Sequence, residues 1–151
     1  MRPIYNFHVI SDLLACSGQP SEEQLPFLSD EGYGAIVNLG LADGKYALPD
    51  ETGLVSRLGM AYHHIPVQFN APQIEELSEF IGLMNHHKND KTLVHCAANF
   101  RASVFTGLYL FSQNQLDEEG LESFIGDIWQ PDAIWQSFIE EGVAFITENR
   151  D

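Results

Sequence analysis

The sequence predicts an α/β fold: a central, mainly parallel sheet of four to five strands, flanked by helices and followed by a helical C-terminus. Short apolar runs rich in β-branched residues alternate with longer segments whose apolar residues recur at helical spacing. Helix-capping residues and glycines separate the two kinds of segment. After Asp117 the pattern is helical only.

Length and composition indicate one folded domain over residues 1–151. Hydrophobic residues make up 44% of the chain and charged residues 19%, which is typical of a globular protein rather than a disordered one. A chain of 151 residues can bury about two-thirds of the surface that it exposes when unfolded. No repeat, low-complexity tract or linker divides it.

The first half of the chain predicts two helices, each followed by a strand. Ser21 resembles a helix N-cap with glutamates in the first turn, and glycines follow Glu31. Asp50 similarly caps a short helix that ends near Gly59. The predicted elements are helix 21–31, strand 35–39, helix 50–59 and strand 61–65.

The second half predicts a helix, a strand and three more helices. Pro72 suits the first turn of a helix. The apolar residues that mark this helix by their spacing are Ile74, Leu77, Ile81 and Met84. A turn at Asn89 precedes a strand over 92–95, and the mostly apolar helix 102–111 is expected to be buried on most sides. Two further helices follow Asp117, with a break near Pro131.

The charge of the chain excludes several classes of partner. A formal net charge of −15 disfavours nucleic acids and anionic membranes, which attract basic surfaces.

No apolar run reaches the roughly 18 residues of a membrane helix, and the N-terminal segment lacks the apolar stretch of a signal peptide. We therefore expect a cytoplasmic protein whose two cysteines are free thiols.

Cys96 lies where a strand ends and a helix is about to begin, which in parallel sheets is a common position for functional sites. Backbone N–H groups and the helix dipole make such a loop a cradle for anions. The same field favours a thiolate, with pKa values brought to about 3.5–7.5. Arg101 supplies a planar fork for two oxygens of an oxyanion. The bland alternative is that Cys96 is a small buried hydrophobe and Arg101 an ordinary helix residue.

The run His95-Cys96, followed by Arg101 and Ser103, resembles the His-Cys-x5-Arg-Ser/Thr signature of protein tyrosine and dual-specificity phosphatases. Further segments resemble a small bacterial branch of that superfamily, which also occurs fused to β-lactamase-like hydrolase domains: Ser17–Ser21, Val37–Leu39 and Tyr62–Val67. The resemblance covers roughly residues 10 to 115. It implies a cysteine-phosphatase-like fold and hydrolysis of phosphate monoesters without a metal or organic cofactor.

The resemblance implies a catalytic role for each residue that occupies a position of the signature. Cys96 would attack phosphorus and form a phosphocysteine, which water then hydrolyses. Arg101 would hold the phosphoryl oxygens, and His95 would orient the loop by hydrogen bonds. Ser103 would donate to the thiolate or help it leave. The residues whose backbone groups would bind the anion are Ala97, Ala98, Asn99, Phe100 and Arg101. The implied partner is a phosphate-bearing small molecule or a phosphoprotein.

The loop departs from the phosphatase signature in length and in the residue at its turn. Four residues separate Cys96 from Arg101, where the signature has five. Four is the length of the loop in rhodanese-like sulfurtransferases, whose cysteine carries a persulfide. Asn99 stands near the position of the family's loop glycine and tolerates the left-handed conformation better than most residues.

The second departure is the missing general acid. Dual-specificity phosphatases place an aspartate on a loop before the cysteine, and the matching stretch here, residues 66–72, has no carboxylate. His63 or His64 could substitute only if this loop folds back. We therefore expect a preference for aryl or phosphotyrosine-like substrates, whose leaving groups need little protonation. The alternatives are a persulfide sulfurtransferase and a phosphate- or phosphopeptide-binding module with little or no catalysis.

The paired histidines, the second cysteine and the two tryptophans are interpreted as structural residues. Adjacent histidines at 63–64 and 86–87 offer one ligand each to any one site, so no metal centre is predicted. Cys16 is interpreted as a structural cysteine, with a resolving thiol for Cys96 as the alternative. Trp129 and Trp135 are predicted to belong to the core.

Overall fold

The computed structural model describes residues 3–150 and contains five strands and six helices within that range. The prediction of one domain over residues 1–151 therefore includes three positions, 1, 2 and 151, that lie outside the described residues. The elements in chain order are β1 (His8–Ser11), β2 (Leu14–Ser17), α1 (Leu25–Asp30), β3 (Ala35–Asn38), α2 (Glu51–Arg57), β4 (Ala61–His64), α3 (Ile74–His86), β5 (Thr92–His95), α4 (Phe100–Ser112), α5 (Glu118–Gly126) and α6 (Ala133–Glu148).

The strands form one mainly parallel sheet in the order β1-β2-β5-β3-β4, which confirms the predicted fold class. β5 lies at the centre and pairs in parallel with both β2 and β3. Only β1 runs antiparallel, as the outer strand of a hairpin with β2. This hairpin was not predicted: its strands have four residues each, and alternate side chains of β1 are exposed, as with Val9 at 66%.

The sheet has an apolar core on each face. One core packs α3, α4, α5 and α6 against the sheet, and the smaller core contains residues of α1 and α2. Every residue of α4 from Arg101 to Phe111 is buried, which confirms the prediction that this helix is covered on most sides. Two glycines allow the other helices to approach it. A Cβ atom at Gly107 would lie 2.8 Å from Leu121, and one at Gly142 would lie 2.9 Å from Leu108.

Several predicted boundaries shift by a few residues. α1 begins after Gln24, because Ser21 and Gln24 exchange side-chain to backbone hydrogen bonds in a turn before the helix. Pro72 precedes α3 rather than lying in its first turn, because Gln73 is the N-cap and its N–H donates to Glu76 Oε1 at 2.8 Å. The predicted cap at Asp50 is confirmed by a bond from the Gly53 N–H at 3.1 Å.

None of the helices in residues 3–150 is long and apolar enough to cross a membrane.

Candidate functional site

Cys96 directly follows β5, the central strand, and the loop that it opens leads into the first turn of the buried helix α4. Asn99 is the last residue before the helix and has φ 74°, ψ 5°, in the left-handed region. The prediction that Asn99 can make the turn in place of glycine is therefore confirmed. Because the chain turns sharply here, four residues suffice to connect Cys96 with Arg101.

The side chain of Asn99 ties the loop to the N-terminal segment. It is fully buried, and its amide nitrogen donates to the Asn6 carbonyl at 2.9 Å and to Cys16 Sγ at 3.4 Å. The Asn99 Oδ1 atom is buried without a hydrogen-bond partner among the described residues. The asparagine thus contributes both a backbone conformation and a side-chain anchor.

Two carbonyl groups of the loop are held from outside. The Gln19 N–H donates to the Ala97 carbonyl at 2.9 Å, and the Asn6 amide donates to the Ala98 carbonyl at 3.0 Å. Because the peptide unit is planar and trans, the N–H group that shares a peptide with each carbonyl points the opposite way. The N–H groups of Ala98 and Asn99 are therefore turned away from these outer partners.

The Cys96 side chain lies between the loop and the helix. Its sulfur accepts a hydrogen bond from the Ala102 N–H, in the first turn of α4, at 3.4 Å. The residue is 1% exposed, whereas Ala97, Ala98 and Phe100 are half-buried. The sulfur is therefore covered more completely than the loop residues that follow it.

His95 is fully buried beneath the loop, in a hydrogen-bond network that sequence reasoning found only in part. Its Nδ1 atom is 3.2 Å from the Cys96 carbonyl oxygen, and its Nε2 atom is 2.6 Å from Glu51 Oε2. Gln19 donates to the other oxygen of Glu51 at 2.7 Å. Burial alone would raise the pKa of Glu51, but hydrogen bonds from His95, Gln19 and Tyr62 and the charge of His95 hold it below its usual value.

Glu51 was missed because nothing in its local sequence distinguishes it from the other acidic residues at helix starts. The signal that could have indicated it is weak: it is a carboxylate one residue after a helix cap, in a segment that follows a parallel strand. Its partner His95 lies 44 residues further along the chain.

Arg101 is 9% exposed, and its Nη1 atom donates to the Val67 carbonyl at 2.9 Å. It forms no ion pair with any carboxylate in residues 3–150. The guanidinium group has five N–H donors, of which this bond uses one. Arg101 therefore connects the cysteine loop to the loop of residues 66–72, the segment that lacks the expected carboxylate.

The 66–72 loop is fixed by the C-terminal helices. Trp135, at the start of α6, donates from Nε1 to the Phe69 carbonyl at 2.7 Å and is fully buried, as predicted. The rings of Phe69 and Trp129 are 5.9 Å apart, and Phe100 of the cysteine loop stacks on Trp129 at 4.5 Å. Trp129 is half-buried, so the aromatic cluster is part core and part surface next to the cysteine loop.

Both candidate histidines have hydrogen-bond partners outside residues 66–72. His64 Nε2 lies 2.6 Å from the Gly40 carbonyl, and His63 Nε2 lies 2.8 Å from His87 Nε2. His87 in turn bonds to Asp90 at 2.9 Å. Within the described part of the chain, no group of three or more His, Cys, Asp or Glu side chains could hold a metal ion.

Ser103 and Cys16 have partners other than Cys96. The Ser103 hydroxyl donates to the Phe100 carbonyl at 2.8 Å, so donation to the thiolate requires the side chain to rotate. Cys16 is fully buried on β2, and burial raises its pKa to about 11, although the hydrogen bond from Asn99 partly opposes this. A thiol with this pKa is a poor nucleophile at neutral pH.

A cysteine loop between the central strand of a parallel sheet and a buried helix, with an arginine in the first turn, defines the class of protein tyrosine and dual-specificity phosphatase-like proteins. Within that class, residues 11–121 match the family described as "DSP-PTPase phosphatase fused to NAD+ Kinase", and the chain belongs to this family.

Solved structures agree with this assignment. A Shewanella putrefaciens CN-32 protein described as "Putative phosphatase (DUF442)" is 33% identical, with a TM-score of 0.87 over 95% of this chain and 94% of that one. The active form of Tk-PTP is 22% identical, with a TM-score of 0.74 over 96% and 98% of the two chains. Kinase associated phosphatase, with its catalytic-site cysteine substituted by serine, is 16% identical, with a TM-score of 0.80 over 91% and 89%. The last two likenesses show the fold alone. No protein of curated function matches the chain in sequence.

Proposed function

We propose that the protein is a cysteine-dependent phosphatase that hydrolyses phosphate monoesters through a phosphocysteine, with a preference for aryl or phosphotyrosine-like substrates. The observation that carries this proposal is the position of Cys96 Sγ, which receives the Ala102 N–H at 3.4 Å inside a loop that ends in Arg101. A negative charge on sulfur is favoured there by the hydrogen bond and by the N-terminal end of α4.

In the first step, the Cys96 thiolate forms a bond to phosphorus and the bond between phosphorus and the leaving oxygen breaks. In the second step, water attacks the phosphocysteine, releases inorganic phosphate and returns the thiolate. Both steps place charge on the phosphoryl oxygens. The N–H groups of Ala98 and Asn99 point away from the outer partners of the loop, and together with Arg101 they are the groups that would bind these oxygens.

The leaving oxygen needs a proton or must be stable without one. A general acid typically contributes about 10²–10⁴-fold to such a step, and residues 66–72 offer no carboxylate for it. A phenolate leaves far more readily than an alkoxide because a phenol has a pKa of about 10. The aromatic surface formed by Phe69, Phe100 and Trp129 next to the loop also suits a flat, apolar leaving group.

The phosphate-bearing partner is a small molecule or a phosphoprotein. A protein with a similar fold, PTPMT1, has been crystallised in complex with PI(5)P. At 13% identity this supports only the general idea that such a loop receives a phosphate group.

The test compares p-nitrophenyl phosphate with an alkyl phosphate such as phosphoserine peptide, using the wild type, Cys96→Ser and the matched control Cys16→Ser. We expect vanadate-sensitive turnover that Cys96→Ser abolishes and Cys16→Ser retains, with the aryl substrate at least about 10²-fold faster, as expected for a missing general acid. Equal rates on the two substrates would contradict the preference, and turnover by Cys96→Ser would contradict the mechanism.

Two alternatives are distinguished by the same preparations. The four-residue loop favours a rhodanese-like sulfurtransferase, which would form thiocyanate from thiosulfate and cyanide. The missing carboxylate favours a binding module, which would bind phosphate without turnover. In both the phosphatase and the binding module, Arg101→Ala should weaken binding of inorganic phosphate by about 1.5–3 kcal/mol.

A further inference from the structure

A carboxylate and an imidazole are buried together directly beneath the cysteine loop. The side chain of Glu51 is 5% exposed and that of His95 is fully buried, and 2.6 Å separates Glu51 Oε2 from His95 Nε2. Burying such a pair is costly unless its hydrogen bonds are satisfied. We therefore ask what this buried pair does for the cysteine loop above it.

Hydrogen bonding at the two ends of the imidazole indicates its protonation state. His95 Nε2 faces a carboxylate oxygen, and His95 Nδ1 faces the Cys96 carbonyl oxygen at 3.2 Å. An ionised carboxylate and a carbonyl can only accept. Both contacts are hydrogen bonds at the same time only if both ring nitrogens carry a proton.

The other oxygen of Glu51 is also occupied. Gln19 Nε2 donates to Glu51 Oε1 at 2.7 Å, and the backbone N–H of Gln19 donates to the Ala97 carbonyl at 2.9 Å. Glu51 is thus connected to the cysteine loop by two routes, one through His95 to Cys96 and one through Gln19 to Ala97. Two donors converging on one carboxylate favour its ionised form.

We propose that Glu51 is a positioning residue for the cysteine site: its carboxylate holds His95 as an imidazolium that donates to the Cys96 carbonyl, and this positive charge at the Cys96 backbone favours the thiolate. The assignment of a role to the thiolate depends on the proposed function. The protonation state of the Glu51–His95 pair is a property of the folded protein and does not depend on the proposed function.

Removing the charge of the Glu51 carboxylate should change the protonation of both His95 and Cys96. In Glu51→Gln the amide has nearly the same shape, and its oxygen can still accept from His95 Nε2. Without the carboxylate charge, His95 loses its second proton and the Cys96 thiolate loses a neighbouring cation. The ionised sulfur is then less favoured, because a nearby opposite charge stabilises a charged group.

The first measurement uses the wild type alone. Nitrogen-15 spectra of the histidine side chains at pH 7.5 should show an imidazolium, with both nitrogens protonated, for the ring assigned to His95 by its absence in His95→Asn. A neutral His95 ring in the folded wild type at this pH overturns the proposal.

The second measurement follows carboxamidomethylation of Cys96 by iodoacetamide as a function of pH in a Cys16→Ser background. Adding Glu51→Gln should raise the pH midpoint of the reaction and slow it about 3- to 10-fold below that midpoint, where one pH unit corresponds to a tenfold change in thiolate. Glu51→Asp, which keeps the charge on a shorter side chain, should partly restore the wild-type profile.

A purely structural role predicts a different result. Loss of packing would lower the melting temperature without moving the midpoint, and Glu51→Asp would then be no better than Glu51→Gln. An unchanged or lower midpoint in Glu51→Gln therefore overturns the proposal. If the wild type shows the imidazolium and Glu51→Gln shows the raised midpoint, but the wild type does not hydrolyse p-nitrophenyl phosphate, the proposed function fails while this inference stands.

Discussion

The turn at Asn99 gives the sharpest quantitative test of how the short cysteine loop is built. Asn99 has φ 74° and a fully buried side chain. Replacing it by alanine or by glycine removes the same amide bonds to the Asn6 carbonyl and Cys16 sulfur. The two substitutions differ only in the backbone, because glycine adopts positive φ without strain and alanine does not.

The expected free energies of unfolding follow from these contacts. Loss of the side chain leaves the carbonyl of the half-buried Asn6 without its donor and should cost about 1–3 kcal/mol in either variant. Alanine adds about 1–2 kcal/mol of left-handed strain, whereas glycine adds about 0.4–1 kcal/mol through the greater freedom of its unfolded chain. Alanine should therefore be less stable than glycine by about 1 kcal/mol, or about 2–4 °C in melting temperature for a chain of this size.

The measurement is urea unfolding of both variants, beside the matched pair at Asn114. Asn114 also has positive φ, at 60°, but it is exposed. There we expect the same advantage of glycine over alanine without the loss of a buried side chain. If Asn99→Ala is as stable as Asn99→Gly while the Asn114 pair differs, the left-handed turn does not constrain the loop and this explanation of its length is wrong.

Three further predictions follow from other contacts. Because burial raises the pKa of Cys16 to about 11, mass spectrometry after brief iodoacetamide treatment at pH 7.5 should find Cys96 modified and Cys16 unmodified; preferential labelling of Cys16 would contradict its assignment as structural. Trp135→Phe removes the N–H that holds the Phe69 carbonyl and should lower the free energy of unfolding by about 1–3 kcal/mol; no change in urea unfolding would show that this bond does not fix the 66–72 loop. The folded-state pKa of Glu51 lies below its unfolded value of 4.5, so the stability that ionised Glu51 contributes is present above pH 4.5 and is lost as the pH falls through the folded-state pKa. Glu51→Gln should therefore lose less stability than the wild type below pH 4.5. Identical acid unfolding profiles of the two proteins would contradict this prediction.

The elements predicted well are those whose evidence is local. β5, the turn at Asn99 and the buried helix α4 follow one another within a short stretch, and each has a pattern of its own. An apolar run ending at a cysteine predicts a strand end, and a mostly apolar helix predicts burial on several sides. Fold class and the position of Cys96 could therefore be derived from sequence.

The elements missed depend on contacts between distant segments. Glu51 and His95 are 44 residues apart, and Phe69 and Trp135 are 66 apart. Periodicity and capping rules say nothing about which distant side chains meet, because that is decided by how the sheet orders its strands. The edge strand β1 was missed for the same reason: much of what defines it is pairing with β2 rather than its own pattern.

The most consequential of these distant contacts concern the missing acid. A loop that delivers a catalytic proton has to bring a carboxylate to the leaving group, but the 66–72 loop has none and is held by its backbone from two sides. Arg101 holds the Val67 carbonyl and Trp135 holds the Phe69 carbonyl, and both donors belong to buried residues. A loop fixed in this way holds the Phe69 ring against Trp129 and Trp135. The preference for aromatic leaving groups that we propose therefore depends on this one loop, which carries no carboxylate and holds Phe69 in the aromatic cluster.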